Sequence, residues 1–168
     1  MLEIAPPQSG ARAIALNNLA YLLVEDLQQP AAGLPYAEEA ARLVPNHTNM
    51  LDTLGWSLVL SGEYDRGISA IRAALNAASA QDLVQMASVH YHAAFGLHKR
   101  SLQSRQRGQN AAADQDLSEA KLDCRRAHDL LTMARSDGDG LLAKVVALGK
   151  ELGLDLKAEL PEAPATQQ

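Results

Sequence analysis

The side chains able to do chemistry are few and scattered. The five histidines are His47, His90, His92, His98 and His128. A helix brings ligands onto one face when they lie three or four residues apart. His90 and His92 are two apart and point away from each other, His92 and His98 are six apart, and no Asp or Glu lies near them in sequence to orient a ring. They read as solvated or groove side chains, and no metal is expected on them. The single cysteine, Cys124, rules out an internal disulfide and a cysteine-cluster metal site. It reads as a small buried apolar side chain. No glycine-rich phosphate loop, nucleophile elbow or Cys/His pairing occurs. The expectation is therefore a non-catalytic protein with no cofactor.

What the sequence does offer is a register of aromatic residues. Tyr21, Trp56 and Phe95 hold the same place in three successive helical segments. Four residues to either side, on the same helix face, stand Asn17 and Glu25, Asp52 and Leu60, and Tyr91 and Lys99. One reading is a ladder of three rings, with Asn17, Asn49, Asp52, Thr53, His92 and Lys99 as polar readers beside it. Aromatic anchors within a polar rim are what peptide recognition requires. The competing reading is that the rings fill space between neighbouring helices. A second candidate surface is the basic run Lys99, Arg100, Arg105 and Arg107. It reads as a contact for an acidic partner, or as a helix tip whose charges pair with Asp114, Asp116 and Glu119 on a returning helix.

The elements that must position these residues are helices. The apolar residues make up 47% of the 168, aromatics only 4%, and Ala and Leu dominate, as in helices packed through small residues rather than in sheets. Apolar periodicity predicts helices over about 12–28, 31–43, 48–60, 64–78, from about 81 to 99, 114–135 and 141–152. Gln29-Pro30, Pro45, Ser61-Gly62 and the run Ser136–Gly140 are the stops. Asn46 or Thr48 is expected to cap the third helix. Arg100 to Asp116 is polar and reads either as the tip of a long hairpin, which the good helix formers favour, or as a loop. Residues 157–168 are expected to be disordered. Residues 1–11 read as the remnant of an upstream repeat or as a ragged terminus.

Two units repeat. Leu16, Leu19, Ala20 and Leu23 match Leu51, Leu54, Gly55 and Leu58 at an offset of 35 residues; Gly33, Ala37 and Ala40 match Gly67, Ile71 and Ala74 at 34. The first unit is thus one residue long between Tyr21 and Gly33. A weaker third unit carries His90, Ala93, Ala94, Leu97, Ala120, Cys124 and Ala127. A helix-turn-helix at this period, with Leu54-Gly55, Gly67, Ala74-Leu75 and a closing Pro45, resembles the tetratricopeptide repeat family, as the C-terminal part of a longer bacterial-type array. The resemblance implies an all-α, right-handed α-solenoid of stacked hairpins: repeats over about 13–47 and 48–81, an elongated hairpin over about 82–136, and a capping helix over about 139–153. It implies that the aromatic face lines a concave groove for extended or helical peptides. The family's Lys/Arg carboxylate clamp is not supported, because the matching face offers Asn17, Tyr21 and Asp52. The expected partner is a protein or peptide. A second reading is self-assembly, with a homodimer formed through the N-terminal face of the first helix or a regulatory role within a larger protein. The net charge of −5 and the pI near 5.5 argue against nucleic acid. No apolar run reaches the length of a membrane span. The default compartment is the cytoplasm, or the periplasm if the parent protein is secreted.

Overall fold

The computed structural model describes residues 9–79 and 81–160. Among the described residues every regular element is a helix: α1 (Gly10–Tyr21), a π-helical turn (Leu22–Asp26), α2 (Pro30–Leu43), α3 (Thr48–Leu60), α4 (Tyr64–Ala77), α5 (Leu83–Gln106), α6 (Asn110–Ala134) and α7 (Leu141–Glu151). The protein is all-α. Local chemistry sets the ends. The Ser9 hydroxyl accepts from the Arg12 backbone N–H and caps α1. Pro30 opens α2, where its missing N–H loses nothing. The expected cap of α3 is absent: its N-cap is His47, which makes no side-chain bond, and Thr48 already lies inside the helix. Asn46 instead takes a left-handed turn conformation at φ 60°. Past α3, Gly62 at φ 83° lets its own N–H reach the Val59 carbonyl and that of Glu63 reach Leu58. The polar stretch from Arg100 to Asp116 belongs to two helices, α5 and α6, that reverse direction over Arg107–Gln109.

The one-residue excess in the first unit falls on the π-helical turn. There the Leu27 N–H bonds the Leu22 carbonyl at 3.0 Å, and Gln29 bonds Leu23 at 2.7 Å. A wider turn accommodates one added residue without breaking the helix. Gln28 then reverses the chain at φ 53°.

Each helix packs on the next in sequence, from α1 on α2 through to α6 on α7. The odd-numbered helices also touch in succession, α1 with α3, α3 with α5 and α5 with α7, forming one continuous layer. The main core runs from Val24 and Trp56 through Ile71, Leu97 and Leu131 to Val145 and Leu152. A smaller cluster, Ala13, Leu16, Ala40 and Met50, sits between the first three helices. Cys124 is fully buried, its Sγ donating to the Val145 carbonyl at 3.4 Å, and burial pushes its thiol up to about 11. Residues 1–8 and 161–168, which carry most of the expected remnant and much of the expected tail, lie outside the described residues. Residues 157–160 are placed, with Leu160 against the core and the Lys157 carbonyl 2.9 Å from His128 Nε2.

Small residues set the helix separations. A Cβ on Gly55 would lie 2.5 Å from Ile71 Cγ1 and 2.9 Å from the Gly67 carbonyl oxygen. A Cβ on Gly67 would lie 2.7 Å from Val59 Cγ2 and 2.9 Å from the Gly55 carbonyl. Each glycine thus faces the other's backbone, and backbone cannot yield as a side-chain tip can. Gly55→Ala gains up to about 1 kcal/mol of helix propensity but forces α3 and α4 apart, which costs about 1–3 kcal/mol. The expected outcome is a lowered urea midpoint for Gly55→Ala and Gly67→Ala. Gly10→Ala, where an added methyl meets nothing within 4 Å, is expected to be neutral or slightly stabilising.

Candidate functional site

The continuous layer of odd-numbered helices bounds a cavity of about 430 Å³. α1 supplies Asn17, Asn18 and Tyr21, and the π-helical turn supplies Glu25. α3 supplies Asn49, Asp52 and Thr53; α5 supplies Val84, Gln85, Ser88, Tyr91 and His92. The far wall is Gly138, Asp139, Leu141 and Lys144, from the loop into α7 and from α7 itself. Eight residues of the aromatic face read from the sequence therefore meet here: Asn17, Tyr21, Glu25, Asn49, Asp52, Thr53, Tyr91 and His92.

Trp56, Phe95 and Lys99 do not line it, and the ladder is a correction. Trp56 is only 7% exposed. Its ring stacks on His92 at 4.2 Å between centroids and meets Phe95 edge-on at 5.2 Å and Tyr91 at 6.0 Å. Lys99 Nζ stands 4.9 Å from the Phe95 ring centroid. The rings of α3 and α5 thus fold onto one another as a cluster beneath the cavity. Tyr21, 54% exposed, makes no ring contact among the described residues and stands alone at the rim.

The half-buried Glu25 carboxylate organises the floor. Its Oε1 accepts the Trp56 indole N–H, and its Oε2 lies 3.1 Å from Lys144 Nζ. Burial pushes its pKa up, but the Lys144 and Trp56 hydrogen bonds and the charges of Lys144 and His92 outweigh it, leaving the pKa below the ordinary value. Asp52 Oδ1 stands 2.9 Å from His92 Nδ1. The Gln85 amide donates to Asn49 Oδ1, bridging α5 and α3. Burial raises the Tyr91 phenol to about 12, so it stays neutral.

The histidines read as unaccompanied in sequence are accompanied in space. Each carboxylate comes from a helix distant in sequence: Asp52 for His92, Asp123 at 2.8 Å for His90, and Glu151 at 3.4 Å for His98. Asp123 is 1% exposed, with the Arg72 guanidinium 2.8 Å from its other oxygen. Burial pushes Asp123 up, but bonding to His90 and Arg72 prevails and its pKa falls below the ordinary value. Among the described residues no group of three or more His, Cys, Asp or Glu is placed to hold a metal ion. In the basic run, Arg100 holds Asp116 through two nitrogens, at 2.9 and 2.7 Å, and reaches Asp65 at 2.8 Å; Arg105 holds Asp114 at 2.6 Å. Exposed Arg107 makes no ion pair among the described residues.

Sequence reasoning missed Asn18, Val84, Gln85, Ser88 and the α7 wall. Gln85 and Ser88 lie two turns and one turn, respectively, before Tyr91 and His92 on the same face, so spacing could have found them. The α7 wall had no local signal. Compared with protein-family models, with curated proteins and with solved structures, the chain matches none.

Two outcomes follow for stability. Trp56→Ala is expected to cost about 3–5 kcal/mol in urea unfolding, whereas Tyr21→Ala is expected to stay within about 0.5 kcal/mol. Glu25 and Asp123 have folded pKa values below their unfolded ones, so the unfolded chain binds more protons in acid. Their stabilisation is present above the unfolded carboxyl pKa of about 4 and is lost as pH falls through the folded value. A urea series is expected to show stability falling below about pH 4–5, with a shallower acid limb in Asp123→Asn, which is also less stable at neutral pH because His90 and Arg72 lose their buried anion.

Proposed function

We propose that the protein is a non-catalytic interaction module, a right-handed α-solenoid resembling tetratricopeptide repeats, that holds an extended peptide or a partner segment in the cavity along α1, α3 and α5. The observation that carries this reading is the composition of that cavity. The first helix of each hairpin presents a side-chain amide or carboxylate to one open trough: Asn17 from α1, Asn49 and Asp52 from α3, Gln85 from α5. Such groups recognise the hydrogen-bonding backbone of an extended chain. Tyr21 at the rim offers an aromatic surface that requires no unfolding to reach. The repeat register, the neighbour-on-neighbour packing and the paired glycines support the same architecture. The cap-like place of α7 at the end of the layer suits it too.

The test is selection of random displayed peptides on the intact chain, followed by amide chemical-shift titration. Selected peptides are expected to shift Asn17, Asp52 and Ser88. The double variant Tyr21→Ala/Asn49→Ala is expected to lower affinity about tenfold or more with an unchanged urea midpoint. Peptides that map instead to α2, α4 and α6 would overturn the reading.

A second reading, self-association, is favoured by one observation. Ile14 (56% exposed), Leu22 (44%) and Leu27 (52%) stand bare on α1 and the turn after it, at the end of the layer. Sedimentation equilibrium decides it: a dimer whose mass falls to the monomer in Ile14→Asp/Leu22→Asp supports association, and a monomer at every concentration removes it.

A further inference from the structure

The same cavity is unbalanced in charge, and the imbalance names the chemistry of its occupant. Three carboxylates line it, Glu25, Asp52 and Asp139, against one lysine, Lys144. Glu25 is spent: one oxygen takes the Trp56 indole N–H and the other holds Lys144 at 3.1 Å. Lys144, the one lysine of the lining, is therefore drawn to Glu25. Asp52 retains only His92, at 2.9 Å on one oxygen, and its side chain is 15% exposed. Asp139, exposed at φ 55° on the opposite wall, has no ion pair among the described residues. Asn17, on the α1 wall, keeps its Oδ1 shielded from solvent with no donor bonded to it. The lining thus holds two carboxylates with no lysine or arginine partner among the described residues: Asp52, which has only the His92 ring, and Asp139.

We propose that the groove is specific for a basic segment, with a lysine or arginine side chain entering between Asp52 and Asp139 while the Asn49 amide N–H and the Gln85 carbonyl oxygen, left over from their mutual bond, hold the adjoining backbone. This rests on the groove reading above and deepens it. An ammonium or guanidinium group supplies only donors and so matches the unspent acceptors. Hydrogen bonds to charged groups in a partly enclosed site are the strong ones. An acidic segment would meet Asp52 and Asp139, and the one lysine of the lining, Lys144, already neutralises Glu25. Like-charge juxtaposition gives discrimination against wrong partners. The net charge of −5 on the whole chain steers the same kind of ligand inward.

The probes are short blocked alanine peptides with one central lysine, arginine, glutamine or glutamate, and free butylamine, titrated by amide chemical shift. The lysine and arginine peptides are expected to shift Asp52, Ser88 and Asp139 saturably, and to weaken as salt rises. Asp52→Asn is expected to reduce their affinity about 10- to 100-fold. Asp139→Asn, which keeps a residue tolerant of that left-handed turn, is expected to reduce it less, with no loss of stability. Glutamine or glutamate peptides that bind the cavity as tightly as lysine would overturn the basic specificity and leave the groove reading standing. Butylamine binding as tightly as the lysine peptide would overturn the peptide segment as occupant. Lysine-peptide shifts confined to other surfaces, or none in any arm, would overturn both.

Discussion

The architecture depends on a backbone-to-backbone approach that only residues without a Cβ permit. At Gly55 and Gly67 the α3 and α4 helices come so close that each glycine's missing side chain would strike the other's carbonyl oxygen. Gly33 makes the same approach in the first unit, where an added Cβ would lie 2.8 Å from Val24 Cγ2 and 3.0 Å from the Ala20 carbonyl. Tight pairing within a hairpin leaves the large apolar residues to reach the next hairpin, and this is where Val59, Ile68 and Leu97 join the main core. Gly96 extends the device: its added Cβ would lie 3.0 Å from Val59 and 3.2 Å from Ile68, so α5 settles against both helices of the preceding unit. Packing of each helix on the next stabilises the hairpins through their interfaces, since no short amphipathic helix is stable alone.

The groove is a consequence of that layering, and its floor is fixed by one irregularity. An ordinary α-helical continuation of α1 would leave the first unit a residue out of step with the second. The π-helical turn absorbs the excess. It also delivers Glu25 to a point where it can meet the Trp56 indole and Lys144 together. One carboxylate therefore joins the first hairpin, the second hairpin and the last helix, across a sequence separation of 119 residues between Glu25 and Lys144. π-turns are found often at functional sites because a wide turn re-aims side chains that a regular helix would point elsewhere.

Helix spans and the residues sharing a face were legible because period and small-residue placement are local properties. Asn17, Tyr21, Asn49, Asp52 and His92 could be gathered from spacing alone. The fate of Trp56 could not. Spacing gives the direction a ring leaves its helix, whereas burial depends on what the neighbouring helix brings to it, here His92, Tyr91 and Phe95. The histidine partners were illegible for the same reason, since Asp52, Asp123 and Glu151 lie on other helices. The one-residue excess before Gly33 was visible, but its physical form was not: a bulge, a longer loop and a π-turn all add one residue. The basic run divided. Arg100 and Arg105 face carboxylates on the returning helix as one reading foresaw, and Arg100 also reaches back to Asp65 at the start of α4.

Two carboxylate–histidine pairs in this protein show how the same groups diverge with their surroundings. Asp123 and Asp52 each accept one histidine Nδ1 at nearly the same distance, 2.8 and 2.9 Å. Asp123 is sealed between α4, α5 and α6, and Arg72 stands on its second oxygen. A buried anion without that cation would carry an uncompensated desolvation penalty, so loss of the arginine would destabilise the fold. Asp52 opens onto a cavity, where water can solvate its second oxygen, and folding makes no demand for a cation there. The groove can therefore keep an unmatched charge on its wall at little expense to stability. A charge so kept is available for recognition: the attraction withheld from the fold is the attraction that a cationic segment can collect on docking.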